Sequence, residues 1–368
     1  MKRRLLIISI HLLFVMMANA EEFEVDGINY TIIKKGSIVE VTKKSSGTYK
    51  GNITIPDSVK YEGVTYSVEG IGSVAFFDCR DLTSITIPNS VTTIGNGAFE
   101  YCKNLKSISI PNSVLTIRGS AFSECTSLSS IILPNKLVVI ERYLFQNCSS
   151  LTSITIPNSV TTIEEFAFYK CSGITSLNIP NNVTELGNGV FMGCENLLSV
   201  TIPNNLKKIS SSAFSHCSSL TNINLPECVN YILGDSFSWC TDLTSITIGS
   251  QVKQISERAF KGCKNLNYVT CYAKDVPKTD KTVFDDSYIN YAKLYVPSSS
   301  VDAYKTASPW CDFGEILAIG ETAINKTEVE NDNNKEFYSI NGRQIKVPKK
   351  GINIIRTNDG KTKKIFVK

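Results

Sequence analysis

The chain has 368 residues, of which 42% are hydrophobic and 20% are charged, a balance that predicts a folded protein and excludes an intrinsically disordered one. Its net charge of +4 is unevenly placed, because residues 1–20 carry +3 and residues 340–368 carry +8, which leaves −7 for residues 21–339. A net-acidic body lacks the basic stripe that nucleic-acid phosphates require, so we expect no nucleic-acid partner.

The N-terminus has the features of an export signal. Lys2, Arg3 and Arg4 precede an apolar run at residues 5–17, and Ala18-Asn19-Ala20 forms a small-x-small cleavage motif. This order is typical of a secretory signal peptide, and the run is shorter than the roughly 20 residues that a membrane-spanning helix needs. We therefore predict that residues 1–20 are removed and that the mature protein is secreted or held at the outer cell surface.

Residues 21–50 predict a β cap. Their apolar residues alternate around turn signals, of which Asp26-Gly27 and Lys35-Gly36 are the clearest. Such a pattern indicates hairpins that could cover the first element of the domain that follows.

A 23-residue repeat occupies residues 51–271. Nine cysteines recur at intervals of 23 without a gap, a phenylalanine stands three residues before each of them, and a leucine or isoleucine stands three residues after each. The consensus is C-x-x-L-x-x-I-x-I-P-x-x-V-x-x-I-x-x-x-A-F-x-x. The periodic cysteines are at positions 79, 102, 125, 148, 171, 194, 217, 240 and 263.

The consensus predicts one short strand in every coil. Its I-x-I triplet alternates with small polar residues, which is the period of a strand with one buried face, and the following proline ends the strand. The later V-x-x-I and A-F-x-x-C spacings suit a turn or a short helix. One coil cannot bury enough apolar surface to fold alone, so we predict a repeat solenoid with parallel β-strands on one face.

The repeat resembles the BspA-like leucine-rich repeats of bacterial surface proteins. The resemblance rests on the phrase A-F-x-x-C-x-x-L-x-x-I-x-I-P and covers residues 51–271. The better-known leucine-rich repeats place asparagine three residues after the second apolar residue of the strand. Here that place varies, so no asparagine ladder is expected; it holds Ser90, Ser113, Lys136, Ser159, Asn182, Asn205, Cys228 and Ser250.

Three segments follow the repeats. Residues 272–320 predict the C-terminal cap of the solenoid, since L-Y-V-P and V-D-A-Y-K resemble the closing segment of this family. Residues 321–336 are polar and predict a linker. Residues 337–368 contain three strand-like runs and resemble a short form of the C-terminal sorting domain that the type nine secretion system recognises at the outer membrane. A basic capping hairpin is the alternative.

The residues offer little for catalysis. The mature chain has one histidine, His216, and its counterparts in other coils vary freely, which is typical of an exposed surface position. The strand face has no paired carboxylates, no glycine-rich phosphate loop opens a helix, and no C-x-x-C pair could hold zinc. We expect no enzyme activity, no cofactor and no metal. The periodic cysteines predict buried thiols, whereas Cys228, Cys271 and Cys311 leave a disulfide open.

The family resemblance implies a non-catalytic adhesin that binds host extracellular-matrix proteins or bacterial surface proteins, and we expect a monomer. The alternative is a glycan-binding accessory protein or a carbohydrate-active enzyme. The sequence leaves the ligand itself open.

Two surfaces are candidates for the binding site. Counting back five and two residues from each cysteine gives positions on one side of a predicted helical turn, and two adjacent coils place Tyr143, Phe166 and Tyr169 there. Exposed aromatic side chains are favoured at protein contacts. The competing surface is the polar strand face, represented by Thr155 and Asn178.

Overall fold

The computed structural model describes residues 21–320 and four strands beyond them, at residues 336–339, 344–345, 351–356 and 362–367. The predicted signal peptide at residues 1–20 lies outside the described residues, as do residues 321–335 of the predicted linker. The chain divides into two compact units, Met1–Ile319 and Gly320–Lys368.

The second unit contains a four-stranded antiparallel sheet. Its strand order is Gln344–Ile345, Glu336–Ser339, Gly351–Arg356 and Thr362–Val367. The sequence predicted three strands, and the fourth is the two-residue strand Gln344–Ile345, which pairs with Glu336–Ser339 at the edge of the sheet. Two residues are too few for a clear alternation of apolar and polar side chains.

The first unit opens with three antiparallel strands, Glu22–Val25, Ile28–Lys34 and Ile38–Thr42. Asp26 and Gly27 both have positive φ, the conformation that suits a two-residue hairpin turn. The third strand pairs in parallel with Val64–Ile71, which also forms a hairpin with Ser58–Tyr61. The N-terminal strands thus continue directly into one side of the solenoid.

The solenoid has about 11 coils of roughly 23 residues, and parallel strands stack in two ladders. The first ladder contains the strands of the I-x-I triplets: Gly51–Thr54, Leu82–Thr86, Ser107–Ser109, Ser130–Ile132, Ser176–Asn178, Ser199–Thr201, Asn222–Asn224, Ser245–Ile248, Tyr268–Cys271, Lys293–Val296 and Glu315–Ala318.

The second ladder consists mostly of two-residue strands that lie half a coil later. After Val64–Ile71 these are Thr93–Ile94, Thr116–Ile117, Val139–Ile140, Thr162–Ile163, Glu185–Leu186, Lys208–Ile209, Tyr231–Ile232, Gln254–Ile255 and Lys278–Thr279. Each pair is in register, so that isoleucine or leucine stacks on isoleucine, as Ile163 does on Leu186.

The prediction of a strand at every triplet is wrong in one coil. Residues 151–157 form no strand, although their sequence fits the consensus as well as any other coil does. The amide of Thr152 lies 3.4 Å from the carbonyl oxygen of Ser129, whereas the equivalent bond from Leu198 to Thr175 measures 2.8 Å. The backbone of this coil therefore stands too far from its neighbour to complete the ladder.

The segment before each cysteine is a tight turn, which resolves the choice between turn and helix. The residues five and one before the cysteine are left-handed, as Phe166 (φ 54°) and Lys170 (φ 56°) show. The amides of Phe166, Phe168 and Lys170 donate to carbonyl oxygens of the next coil at 2.8–3.0 Å. These three bonds hold a conformation that side-chain-bearing residues otherwise disfavour.

Two columns of side chains form the core. The phenylalanine rings stack from Phe76 to Phe284 with centroids 5.1–5.8 Å apart, between Tyr49 at one end and Trp310 at the other. The thiol of each cysteine from Cys102 onward donates to the carbonyl oxygen of the phenylalanine 26 residues earlier, at 3.0–3.2 Å. None of the twelve cysteines, all of which lie within residues 21–320, forms a disulfide.

The last coils are closed by short helices. The α-helix Val301–Thr306 brings the hydroxyl of Tyr304 to donate to the carbonyl oxygen of Ala273 at 2.9 Å. The thiol of Cys271 lies 3.2 Å from the same hydroxyl oxygen. Three single-turn 3₁₀ helices complete this region: Ile289–Tyr291, Ser298–Ser300 and Trp310–Asp312.

The buried thiols predict a loss of stability at alkaline pH. Burial raises the pKa of Cys194 and Cys263 from 9.0 to about 12, and it raises the pKa of Cys148 and Cys171 in the same direction. Above pH 9 the unfolded chain releases thiol protons that the folded chain keeps. The stabilising contribution is therefore complete below pH 9 and is lost as pH rises toward 12, by about 1.4 kcal/mol per pH unit for each thiol.

Urea unfolding between pH 7 and 10 checks this prediction. We expect the free energy of unfolding to fall steeply above pH 9, and Cys194→Ala to reduce the slope by about one thiol. Cys311 is exposed, so Cys311→Ala serves as the matched control and should leave the slope nearly unchanged. A free energy that does not change between pH 8 and 10 would contradict the prediction.

Candidate functional site

The outward side of the first ladder is an extended uncharged surface. Its side chains stand five and seven residues after each cysteine, and from Ser84 to Thr247 they are serine, threonine or asparagine with one exception, Ile132, which is 67% exposed. Eight coils at the usual strand spacing make this surface about 34 Å long. It offers many hydrogen-bonding groups but no side chain at these positions that exchanges a proton near pH 7.

Thr155 and Asn178 both lie exposed on this surface, in adjacent coils. Asn178 is in register with Thr201 of the next strand, and it lines a shallow groove of about 380 Å³ with Asn158, Asn181 and Thr201. Thr155 belongs to the coil without a strand and lies outside the residues that line the groove. The structure therefore places both residues on one face, but only Asn178 in a concave site.

An asparagine column borders this groove, and the sequence analysis missed it. The amide of Asn135 donates to Asn112 Oδ1 at 2.9 Å, and the side-chain amide of Asn205 donates to the carbonyl oxygen of Asn181 at 2.9 Å. The expectation that no asparagine ladder forms is thus wrong for this stretch. The P-N dipeptide that follows six consecutive strands was the available signal, one residue before the position that we inspected.

Tyr143, Phe166 and Tyr169 form an aromatic cluster in the turns. The rings of Tyr143 and Phe166 stack with centroids 5.3 Å apart at 4°, and Tyr169 packs edge-on against Phe166 at 5.8 Å. All three side chains are half-buried, and Lys170 Nζ lies 5.2 Å from the ring centroid of Tyr169. The structure therefore brings the three rings together, but with much of their surface turned toward one another.

The local backbone explains this arrangement. Tyr143 and Phe166 are left-handed residues of a tight turn, so the prediction that they lie on one side of a helical turn is wrong. The next coil has glycine at the same position, and a Cβ added to Gly189 would lie 2.2 Å from the ring of Phe166. The ring thus fills the space that the missing side chain leaves.

His216 also lies in a turn, and its surroundings are structural. Its Nδ1 is 2.9 Å from the hydroxyl oxygen of Ser215, which is 2.8 Å from the hydroxyl oxygen of Ser238. Ser215 is only 2% exposed, so its hydroxyl cannot reach a substrate. Within the part of the chain that the structure describes, no three His, Cys, Asp or Glu side chains are grouped to hold a metal ion.

Comparison with known families identifies the repeat. A family model described as the BspA type leucine-rich repeat region, in six copies, matches residues 69–198 and again residues 161–290. Together these matches cover more than half of the chain. The chain belongs to the BspA type leucine-rich repeat family. Members of this family are bacterial surface proteins, commonly secreted or attached to the cell surface, and typically non-catalytic.

Solved structures show similar folds. A leucine-rich repeat protein of Bacteroides ovatus is 25% identical over 80% of this BspA type chain and 76% of its own length, with a TM-score of 0.56. A leucine-rich cell surface protein of Faecalibacterium prausnitzii is 23% identical over 81% of this chain and 94% of its own, with a TM-score of 0.45. A leucine-rich repeat protein of T. pallidum is 30% identical over 54% and 91%, with a TM-score of 0.47.

A search of the curated proteins finds no match for this BspA type protein. Among the residues that the structure describes, no helix is both long enough and apolar enough to cross a membrane.

The contact between Phe166 and Gly189 in this BspA type solenoid gives a prediction for stability. Gly189→Ala places a methyl group against the ring and adds left-handed strain, whereas Gly97→Ala adds similar strain (φ 57°) but meets only the flexible carboxylate of Glu100 at 2.9 Å. We expect Gly97→Ala to cost about 1 kcal/mol and Gly189→Ala about 1–3 kcal/mol more.

Chemical denaturation of both variants measures the difference. In a Phe166→Ser background the ring is gone, and Gly189→Ala should then cost no more than Gly97→Ala. Equal costs in the wild-type background would show that the ring does not depend on the space above Gly189.

Proposed function

We propose that this chain is a non-catalytic secreted or cell-surface binding protein that presents the first ladder to host extracellular-matrix proteins or bacterial surface proteins. The observation that carries the proposal is the uncharged outward side of that ladder, which extends over eight coils. A surface without charged side chains can pack against a partner without the cost of desolvating ions.

The shape and composition of this surface suit a protein partner. Its length of about 34 Å matches the span of a protein interface that buries about 800 Å² on each side. Protein interfaces combine apolar contacts with scattered hydrogen bonds. Ile132 and Leu198, which are 67% and 52% exposed, supply apolar contacts among hydroxyl and amide groups on this side of the solenoid.

The strand face is a better candidate than the aromatic cluster. The rings of Tyr143, Phe166 and Tyr169 are already half-buried against one another, so a partner would gain less apolar area from them. Thr155 and Asn178 are exposed, and Asn178 borders a groove that a partner side chain could enter. We therefore place the binding site on the strand face, with the aromatic cluster as a mainly structural feature.

Substitution of the strand face tests this assignment. Binding is measured against a panel of immobilised extracellular-matrix proteins and neutral glycans. We expect Thr155→Lys with Asn178→Lys to weaken a protein interaction by more than about tenfold, or 1.4 kcal/mol, with little change in melting temperature. Tyr143→Ser with Phe166→Ser should lower the melting temperature and change the affinity less than twofold.

The opposite pattern would move the site to the aromatic cluster. Binding to neutral glycans but to no protein would favour the alternative, a glycan-binding accessory protein.

We further propose that residues 1–20 direct export and that residues 337–368 address the protein to the type nine secretion machinery of the outer membrane. The basic, apolar and A-x-A order of the N-terminus and the K-G-I-N-I-I-R and K-K-I-F-V-K elements of the C-terminus support this route. The proposal of a partner-binding strand face does not depend on it.

Deletion of residues 337–368 tests the sorting role. We expect the truncated chain to be cut after Ala20 and to remain in the periplasm, where the solenoid still resists proteolysis, while the full chain reaches the cell surface. Cell fractionation, surface labelling and intact mass measure these outcomes. Unchanged surface exposure of the truncated chain would refute the sorting role.

A further inference from the structure

A row of lysines occupies the second ladder near its C-terminal end. The outward residues of this ladder stand 13 and 14 residues after each cysteine, and in the later coils they include Lys207 and Lys208, then Tyr231, then Lys253 and, in the next strand, Lys278. Strand register places Lys208 beside Tyr231, Tyr231 beside Gln254, and Gln254 beside Lys278. The topology therefore gathers four lysines that the sequence spreads over 72 residues.

These four lysine side chains are exposed and available to a ligand. None of them forms an ion pair with a carboxylate of residues 21–320, whereas Arg118, Arg258 and Lys293 elsewhere on the solenoid do. At the usual spacing of parallel strands, Lys207 and Lys253 lie about 10 Å apart and Lys278 lies about 5 Å further on. Positive charge thus recurs along a single line parallel to the solenoid axis.

The line of lysines ends at a groove of about 590 Å³. Lys253, Lys274 and Lys278 line it together with Tyr272, whose side chain is 41% exposed. The one carboxylate among the lining residues is that of Asp275. An exposed tyrosine ring among ammonium groups offers a flat apolar face beside three positive charges.

Acidic residues limit the width of the basic surface. Glu227 stands three residues before Asn230 on one side of the ladder, and Glu257 stands three residues after Gln254 on the other. Glu185 occupies the same column one coil before Lys208. The basic surface is therefore one or two residues wide, on a body whose net charge is −7 between residues 21 and 339.

We propose that these lysines and Tyr272, which we call the lysine strip, bind a linear anionic polysaccharide with sulfate or carboxylate groups. The strip comprises Lys207, Lys208, Lys253, Tyr272, Lys274 and Lys278. Lysine-rich surfaces attract polyanions, and the single line of charge suits a thin chain with one file of anionic groups better than a duplex with two rows of phosphates. The apolar face of a sugar ring stacks on the exposed tyrosine.

The lysine strip lies on the second ladder, so it is separate from the protein-binding face proposed on the first ladder. Either site could be lost without the other. A protein with both would hold a polysaccharide and a protein partner on different sides of one solenoid.

The test uses the full chain and heparin as the probe. Because residues 340–368 carry +8 and bind polyanions themselves, all proteins carry the same tail substitutions, Lys349→Gln, Lys350→Gln, Lys363→Gln and Lys364→Gln. The test variant is Lys207→Gln with Lys253→Gln and Lys278→Gln. The control variant removes the same charge at exposed lysines elsewhere, with Lys60→Gln, Lys106→Gln and Lys136→Gln.

We expect the test variant to bind heparin at least about tenfold more weakly at 0.15 M NaCl and to show a shallower salt dependence. The control variant should lose less than twofold, and both should keep the wild-type melting temperature, since the replaced side chains are exposed. Tyr272→Ala should weaken binding about fivefold without changing the salt dependence, because its contact is not ionic.

Three results would overturn the proposal. Failure of the tail-substituted protein to bind heparin, or equal losses in the test and control variants, would show that no specific strip exists. Binding of neutral dextran as tightly as heparin would remove the role of charge. Equally tight binding of poly(dT), with the same sensitivity to the three lysines, would assign the strip to single-stranded nucleic acid.

Discussion

The bond on which the solenoid depends is the one that each phenylalanine carbonyl accepts twice. The oxygen of Phe145 receives the amide of Cys148 within its own coil, at 3.1 Å, and the thiol of Cys171 from the next coil, at 3.0 Å. The first bond closes the turn and the second joins two coils. A buried carbonyl has two lone pairs to satisfy, and this arrangement satisfies both without water.

The same constraint accounts for the constant repeat length. A coil one residue longer or shorter would move either its thiol or its ring out of line with the adjacent coil, and the stacked rings of Phe122 and Phe145, 5.8 Å apart, leave no room for such a shift. Serine would carry a shorter and more polar donor, and alanine would carry none. Cysteine combines apolar bulk with a weak donor, which suits a position that is buried and still touches a carbonyl.

The sequence predicted the features that every coil must share. The period, the apolar columns and the strand at most triplets follow from stacking, because each coil has to fit the next. It predicted less well what depends on a single coil, such as the missing strand at residues 151–157, where a lengthened backbone bond decides the outcome. The left-handed turns were also hidden, because Phe166, Lys170 and His216 are not residues that usually indicate positive φ.

The candidate site shows the same division. The exposed positions of Thr155 and Asn178 follow from strand alternation, and the sequence placed them correctly on an outward face. The groove beside Asn178 arises from asparagines of neighbouring coils, and the lysines of the second ladder come together only through register. Proximity between coils becomes visible in the sequence only when it is written as a grid of 23 columns.

The paired left-handed residues have a consequence for how such a surface can change. Their backbone amides are committed to the next coil, so the conformation is held by neighbours and not by the identity of the side chain. Glycine, aspartate, arginine, tyrosine and phenylalanine all occur at the position five before the cysteine. Each turn is therefore a socket in which residues can be exchanged at the cost of local strain alone, and a new ligand preference could be written there without altering the scaffold.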